Sequence, residues 1–211
     1  MKKQKVSSAV IRRLPRYYRH LTDLHAAGAE RISSNALGES MGFTASQIRQ
    51  DLSCFGEFGQ QGYGYNVENL RREIADILGM NEGHSAVVLG AGNLGRALIE
   101  NFHFDRSGFT LAAAFDVDPG LVGRELSGTP IYHIDELEHY LAGRPASVGV
   151  LTVPRSAATP LAERLVRAGV KGIWNFTNIE LSVSRSPGVV IENVHFADSL
   201  LALSYMISED A

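Results

Sequence analysis

Cysteine is almost absent. Cys54 stands alone, which excludes an intramolecular disulfide and suits a reducing cytoplasm. It reads as a small apolar residue near a helix end rather than a reactive thiol. No apolar run approaches the roughly 18–20 residues that cross a bilayer, so no membrane partner is expected. The basic start, Met1-Lys2-Lys3-Gln4-Lys5, leads into polar, Arg-rich sequence and does not read as a secretory leader. The seven histidines show no metal-ligand spacing; no metal is expected, and His133 and His195 read as structural. Internal repeats and low-complexity tracts are missing. Lysine is scarce: Lys171 is the only one after residue 65, and no Tyr-x-x-x-Lys pair offers the proton relay of a small dehydrogenase.

What is present is unevenly charged. Residues 1–65 hold nine Lys/Arg against five Asp/Glu, and the remainder eleven against eighteen, so a front part of +4 precedes a back part of −7. Only the front is expected to meet a polyanion. At 211 residues, one or two globular domains fit.

The chain is organised around Ser85-Ala86-Val87-Val88-Leu89-Gly90-Ala91-Gly92-Asn93-Leu94-Gly95. A short apolar run ends in Gly-x-Gly-x-x-Gly, and apolar-periodic sequence follows to Phe102. That is strand, tight turn and helix, the context a dinucleotide fingerprint requires. Gly90 makes the turn, Gly92 lets N–H groups approach a pyrophosphate, and Gly95 lets the helix pack close to the strand. Residues 109–115 form a second apolar strand ending in Asp116, followed by Val117. Asp116 lies 21 residues past Gly95, near the ~20 expected of the acid that binds ribose hydroxyls. A carboxylate there repels a 2′-phosphate, which favours NAD(H) over NADP(H). A fold without cofactor, or with CoA in its place, stays open. Strands near 85–89, 110–115, 130–132, 146–151, 171–175 and 189–194 alternate with helices near 93–102, 135–142 and 156–168. This predicts an α/β Rossmann domain with a doubly wound parallel sheet. Thr152-Val153-Pro154 and Asn175-Phe176-Thr177 follow strands and are candidates for the nicotinamide half of the pocket.

The sequence in front is helical. Ile11, Leu14, Tyr18, Leu21 and Leu24 fall at spacings of three and four. Pro15 divides them, so the pattern predicts one helix over about 7–13 and another over about 15–26. Arg12, Arg13, Arg16 and Arg19 cluster here with Tyr17 and Tyr18. Ser33 or Ser34 caps a short helix, Gly42 and Phe43 turn, and Thr44-Ala45-Ser46-Gln47 is a capping box. The helix from Ala45 to Phe55 carries Ile48, Leu52 and Phe55 on one face and Ser46, Arg49, Gln50 and Ser53 on the other. That is the composition of a helix-turn-helix recognition helix, with Arg suited to guanine and Gln to adenine; a structural helical hairpin is the alternative. The glycine-rich residues 56–65 read as a β-hairpin, a wing whose tip can meet the minor groove. Asn66 then caps a helix that Gly79 stops.

The last segment, 197–207, is apolar nearly all round and calls for a partner subunit. The expected domains are 1–79, 80–195 and 196–211: winged helix, Rossmann domain and C-terminal dimerisation helix. The sheet ends near residue 195 with about one helix left, which leaves no room for a catalytic domain. The reading is a regulator whose DNA affinity depends on a cofactor, not an enzyme. A small NAD-dependent dehydrogenase and a CoA-binding module are the rivals.

Several motifs then act together. Arg13-Leu14-Pro15 with Tyr17-Tyr18, Ile48-Arg49-Gln50-Asp51-Leu52-Ser53-Cys54-Phe55-Gly56, Gly62-Tyr63-Gly64-Tyr65-Asn66-Val67, the glycine motif, Phe115-Asp116-Val117-Asp118, Leu151-Thr152-Val153-Pro154 and Asn175-Phe176-Thr177 resemble the bacterial redox-sensing repressors of the Rex family. The resemblance covers essentially the whole chain. It implies a homodimer with a terminal helix exchanged between subunits, released from a palindromic operator by NADH while NAD+ permits binding. The DNA contacts expected on this reading are Arg12, Arg13, Arg16, Tyr17, Thr44, Ser46, Gln47, Arg49, Gln50, Ser53, Gln60, Gln61 and Tyr63. The cofactor contacts expected are Gly90, Ala91, Gly92, Asn93, Leu94, Gly95, Asp116, Val117, Thr152, Val153, Pro154 and Asn175. This chain departs from many relatives in having Gln50 in place of a second basic residue and Gln60-Gln61 at a wing tip that is often basic. It also has His195, with Asp198 one turn on, where some carry an aspartate that pairs with an N-terminal arginine.

Overall fold

A computed structural model describes residues 6–59, 63–181 and 188–209. The chain forms two compact units, Met1–Glu82 and Gly83–Ala211.

The first unit holds α1 (Ser8–Ala26), β1 (Arg31–Ile32), α2 (Ser34–Met41), α3 (Ala45–Ser53), β2 (Tyr65–Asn66) and α4 (Val67–Ile77). Its core is Leu14, Tyr17, Leu21, Leu37, Ile48, Leu52, Tyr65, Val67, Leu70 and Ile74. Side-chain caps start the helices: Ser7, Ser33, Thr44 and Asn66 each accept an N–H of the first turn. The α2–α3 turn depends on two glycines. Gly42 has φ +74°, and a methyl at Gly38 would sit 2.6 Å from the Phe43 carbonyl oxygen.

Two expectations change here. The two helices expected around Pro15 are one, α1. An interior proline costs about 3 kcal/mol. Burying Val10, Leu14, Tyr17 and Leu21 along one stripe returns about 1.5–3 kcal/mol each, so burial wins. The buried stripe also runs through Val10 and Tyr17 rather than Ile11 and Tyr18, because Tyr17 bonds a core carboxylate. The wing expected over 56–65 is described only in part, since residues 60–62 lie outside the described residues. Among the described residues no strand lies between α3 and Tyr65; β2 pairs antiparallel with β1, Arg31 against Asn66 and Ile32 against Tyr65. Glycines at 56, 59 and 64 have positive φ.

The second unit is a seven-stranded sheet in the order β5-β6-β4-β3-β7-β8-β9. The strands are β3 (His84–Leu89), β4 (Phe109–Asp116), β5 (Glu125–Leu126), β6 (Thr129–His133), β7 (Val148–Leu151), β8 (Gly172–Asn175) and β9 (Val190–Asn193). All pairings are parallel except β5–β6. Helices α5 (Asn93–Asn101), α6 (Leu137–Gly143) and α7 (Arg155–Arg167) connect them, and α8 (Phe196–Glu209) ends the unit. Separate apolar clusters cover the two sheet faces, which is why β3 reads as an unbroken apolar run. The chain winds outward from β3 through β4 to β6, then crosses back to β7. The order therefore reverses between β3 and β7, where doubly wound sheets open a ligand crevice.

The interior proline makes the energetics of α1 testable. Pro15→Ala should raise the unfolding free energy of the first unit by about 2 kcal/mol. Urea unfolding of the full chain, followed by the far-ultraviolet helical signal, checks this; unchanged or lowered stability would contradict it.

Candidate functional site

The outward helix of the first unit is held from behind by a buried charge. Asp51 is fully buried. Arg13 Nε and Nη2 donate to its two oxygens at 2.6 and 2.7 Å, Tyr17 Oη donates at 2.6 Å, and Gln47 Nε2 donates at 2.6 Å. Burial alone pushes the Asp51 carboxyl up. The bonds from Arg13, Tyr17 and Gln47, with the Arg13 charge, outweigh it and leave the carboxyl below its ordinary range. Arg13 is held more basic by its bond to Asp51. Tyr17 is raised by burial and by Asp51.

This corrects one expected DNA contact, Tyr17, and places two others, Arg13 and Gln47, in bonds within the unit. Tyr17 is in the core, Arg13 is engaged as an ion pair, and the Gln47 amide turns forward to Asp51 instead of back to Thr44. Thr44 is exposed and caps α3 through Gln47 N–H at 3.1 Å. Ser46, Arg49, Gln50 and Ser53 are all exposed on α3. Arg12 and Arg16 are exposed on α1, with the Arg16 guanidinium 4.6 Å from the Phe43 ring centre. Tyr63 is 69% exposed beneath the Arg31 guanidinium. Gln60 and Gln61 lie outside the described residues. Ser34, which accepts from Arg49 Nη1 at 2.8 Å, was not anticipated. Asp51 was legible in principle: it sits between Ile48 and Leu52 on an apolar face, where a charge demands a partner.

In the second unit the glycine turn has the form its spacing predicts. Gly90 has φ +95°, and a methyl there would meet the Thr152 carbonyl oxygen at 2.8 Å. A methyl at Gly95 would lie 1.8 Å from the Gly90 carbonyl oxygen, so no other residue lets α5 approach β3 this closely. Gly92 differs: its φ is −68° and a methyl there would meet nothing within 4 Å. It is the cap residue of α5, with no side chain among the described residues bonded to the first-turn N–H groups. Those donors and the dipole end face open space, which fits a pyrophosphate. Asn93 is exposed and Leu94 half-buried.

Asp116 closes the corner. It accepts Ala91 N–H at 2.6 Å, and the N–H groups of Val117 and Asp118 at 2.7 and 2.9 Å. Backbone bonds thus aim the carboxylate, and Oδ2 keeps a lone pair for a ribose hydroxyl. Val117 beside it is 67% exposed. Thr152 Oγ1 donates to the carbonyl oxygens of Leu89 and Gly90 at 3.0 and 2.7 Å, tying β7 to the turn. Val153 is half-buried and Pro154 exposed at the start of α7.

Asn175 does not behave as a free contact. Its Nδ2 donates to Ile179 O and Asn193 Oδ1, both at 2.8 Å; its Oδ1 accepts from Thr177 N and Thr177 Oγ1. All four hydrogen-bonding positions of the amide are engaged, so it braces the pocket end rather than meeting a ligand. The chain continues: Asn193 Nδ2 donates to Glu180 at 2.9 Å, and Glu180 lies 3.1 Å from His195 Nε2, one residue before α8.

Residues 5–53 match the family model described as "Putative DNA-binding protein N-terminus", and residues 81–179 match the one described as "CoA binding domain". The redox-sensing transcriptional repressor Rex of Clostridium novyi (strain NT) is 49% identical over 207 residues, covering 98% of each chain. The protein of the same name from Thermoanaerobacter pseudethanolicus is 48% identical over 209 residues, 99% of this chain and 92% of that one. Among solved structures, RSP in complex with β-NAD+ and operator DNA is similar with a TM-score of 0.91 and 47% identity, covering 98% of this chain and 94% of that one. RSP in complex with β-NADH gives 0.90 and 44%, covering 98% and 96%.

Two tests follow from the geometry. Gly95→Ala should destabilise the second unit by about 3 kcal/mol or more, because its methyl meets backbone that cannot move aside. Gly92→Ala should leave stability within about 0.5 kcal/mol, yet weaken NADH binding at least roughly ten-fold by filling the pyrophosphate approach. Trp174 fluorescence on unfolding and a nucleotide titration separate the two. In the first unit, the depressed Asp51 carboxyl contributes stability that is present above its unfolded value of about 4 and lost as pH falls through the folded value. Asp51→Asn should flatten that acid limb and cost about 3 kcal/mol at neutral pH, since Arg13 loses its partner. An acid limb equal in wild type and variant would assign it to other groups.

Proposed function

The chain belongs to the Rex family of redox-sensing transcriptional repressors, and from that premise we propose that it binds operator DNA through its first unit under the control of NAD(H) in its second. The observation that carries this is the open glycine cradle beside Asp116, joined in one chain to a helix that presents Ser46, Arg49, Gln50 and Ser53 outward. Asp116 favours an unphosphorylated ribose. That supports NAD(H) over NADP(H), and equally over CoA, whose ribose carries a 3′-phosphate.

The protein acts as a regulator rather than an enzyme, in the bacterial cytoplasm where its operator lies. It works as a homodimer, as a palindrome requires. Support for the dimer comes from α8, where Phe196, Leu200, Leu201, Leu203, Tyr205, Met206 and Ile207 are each at least 50% exposed. So much apolar surface on one helix needs a partner, and a second copy supplies one.

NADH and NAD+ differ in one charge and in the planarity of the nicotinamide ring. Residues 90–95 hold the pyrophosphate, Asp116 orients the adenosine ribose, and residues 152–154 line the nicotinamide half. Moving the population from mostly bound to mostly free needs roughly 5 kcal/mol of differential affinity, a few kcal/mol per site in a dimer.

Selection of duplexes from a random pool should enrich a palindrome without NADH and lose it with NADH. Titrating that duplex with each nucleotide completes the test: NADH should release the protein and NAD+ should not. Equal effects of the two would end the sensor reading, and a pool with no enriched site would favour a dehydrogenase. Removing residues 196–211 should give a monomer by light scattering that no longer holds the palindrome.

A further inference from the structure

Spacing alone places Ser46, Arg49, Gln50 and Ser53 on one outward face of α3. The structure divides that face into two edges. Arg49 and Ser53 line a groove of about 610 Å³ together with the start of α2 and residues 56–59, 64 and 65. Ser46 and Gln50 are not part of its lining. Neighbouring helix positions are about 100° apart, so the Gln50 edge faces elsewhere.

Arg49 is committed to the groove edge. Its Nη1 donates to Ser34 Oγ at 2.8 Å, fifteen residues back, and the guanidinium swings toward the start of α2. Its charge bears on the buried Tyr65, opposing the upward push of burial on that phenol. The Gln50 amide is exposed and has no bonded partner among the described residues. The groove end around Arg49 offers Ser33, Ser34 and Asn35, hydroxyl and amide groups of the type that contact the sugar–phosphate backbone, while the Ser53 hydroxyl donates to Gln50 O at 2.8 Å. The lining's one carboxylate, Glu57, is exposed and belongs to the loop. A guanine reader needs its fork free and aimed with its neighbours into the major groove. Here the fork is tethered sideways to a hydroxyl.

We propose that α3 divides the work of recognition: Arg49, positioned by Ser34, seats one operator phosphate in this groove, while Gln50 and Ser46 read the bases. This rests on the DNA-binding reading above and reassigns Arg49 from base reader to backbone clamp.

The test uses the full chain and two duplexes of equal length, the one enriched by selection and a scrambled one, each titrated over a range of salt. Arg49→Ala should weaken binding to both duplexes by a similar factor and lower the slope of log affinity against log salt by about 0.9 per half-site. Arg49→Lys should keep that slope and the preference for the enriched duplex within about three-fold, since a phosphate accepts a point charge. Gln50→Ala should keep the slope and reduce the preference roughly 5- to 150-fold. Ser34→Ala should move in the direction of Arg49→Ala by a smaller step. If Arg49→Lys abolishes the preference while the slope stands, Arg49 reads a base and the division of labour is wrong. A wild-type protein that prefers neither duplex would instead bring down the DNA-binding reading, before any variant is compared.

Discussion

The first unit is arranged around one buried charge. An ionised carboxylate taken from water is tolerated only when its oxygens are fully bonded. Asp51 meets that demand with four donors drawn from α1 and from its own helix. The Arg13 fork is bidentate and planar, so it accepts few relative placements of α1 and α3. The bond network therefore does more than stabilise. It sets which side of α3 faces the core, and so which side faces out. It also removes one arginine and one tyrosine from the surface that composition assigns to a polyanion. Among the described residues, Arg12, Arg16, Arg19, Arg31 and Arg49 remain exposed before the wing.

The second unit reaches a comparable rigidity with backbone rather than charge. Gly95 packs against the Gly90 carbonyl, Thr152 bonds the same carbonyl from β7, and Ala91 N–H fastens Asp116 from β4. Three strands thus converge on one turn at the point where strand order reverses. The Asp116 carboxylate is aimed by the main-chain donors of Ala91, Val117 and Asp118.

Most of the architecture was legible because its causes are local. Unbroken apolar runs bounded by turns marked the central strands, and caps at Ser33, Thr44 and Asn66 marked the helix starts. What was not legible depends on partners distant in sequence. Pro15 looked like a break because the burial that overrides it comes from α3 and α4. Tyr17 looked exposed because its phenol suits a surface as well as a core, and only Asp51, 34 residues on, decides between them. The β5–β6 ribbon escaped because β5 is two residues long; its sole signal was Ser127-Gly128, both at positive φ. At the candidate sites, residue types were legible and commitments were not. Asn175 has the chemistry of a ligand contact, and nothing in the sequence says that its amide is already satisfied.

That last point bears on where a redox signal arises. A ligand shifts an equilibrium only by its differential affinity for two states. The glycine turn and Asp116 suit the pyrophosphate and the adenosine ribose, which the oxidised and reduced nucleotides share. However tightly they hold, they contribute nothing to the distinction. On the proposed reading, the difference is felt toward the ends of β7 and β8, at Thr152 to Pro154, with Asn175 bracing that end. From Asn175 an unbroken hydrogen-bonded sequence passes through Asn193 and Glu180 to His195, at the foot of α8. The backbone adds a parallel link, Val194 N–H to the Asn175 carbonyl at 2.8 Å. On that reading, the part of the pocket that tells the two nucleotides apart is the part bonded to the base of the exposed apolar helix. The proposed reading thus gives tight binding and discrimination to different residues, so affinity for the shared half can be high without blunting the response.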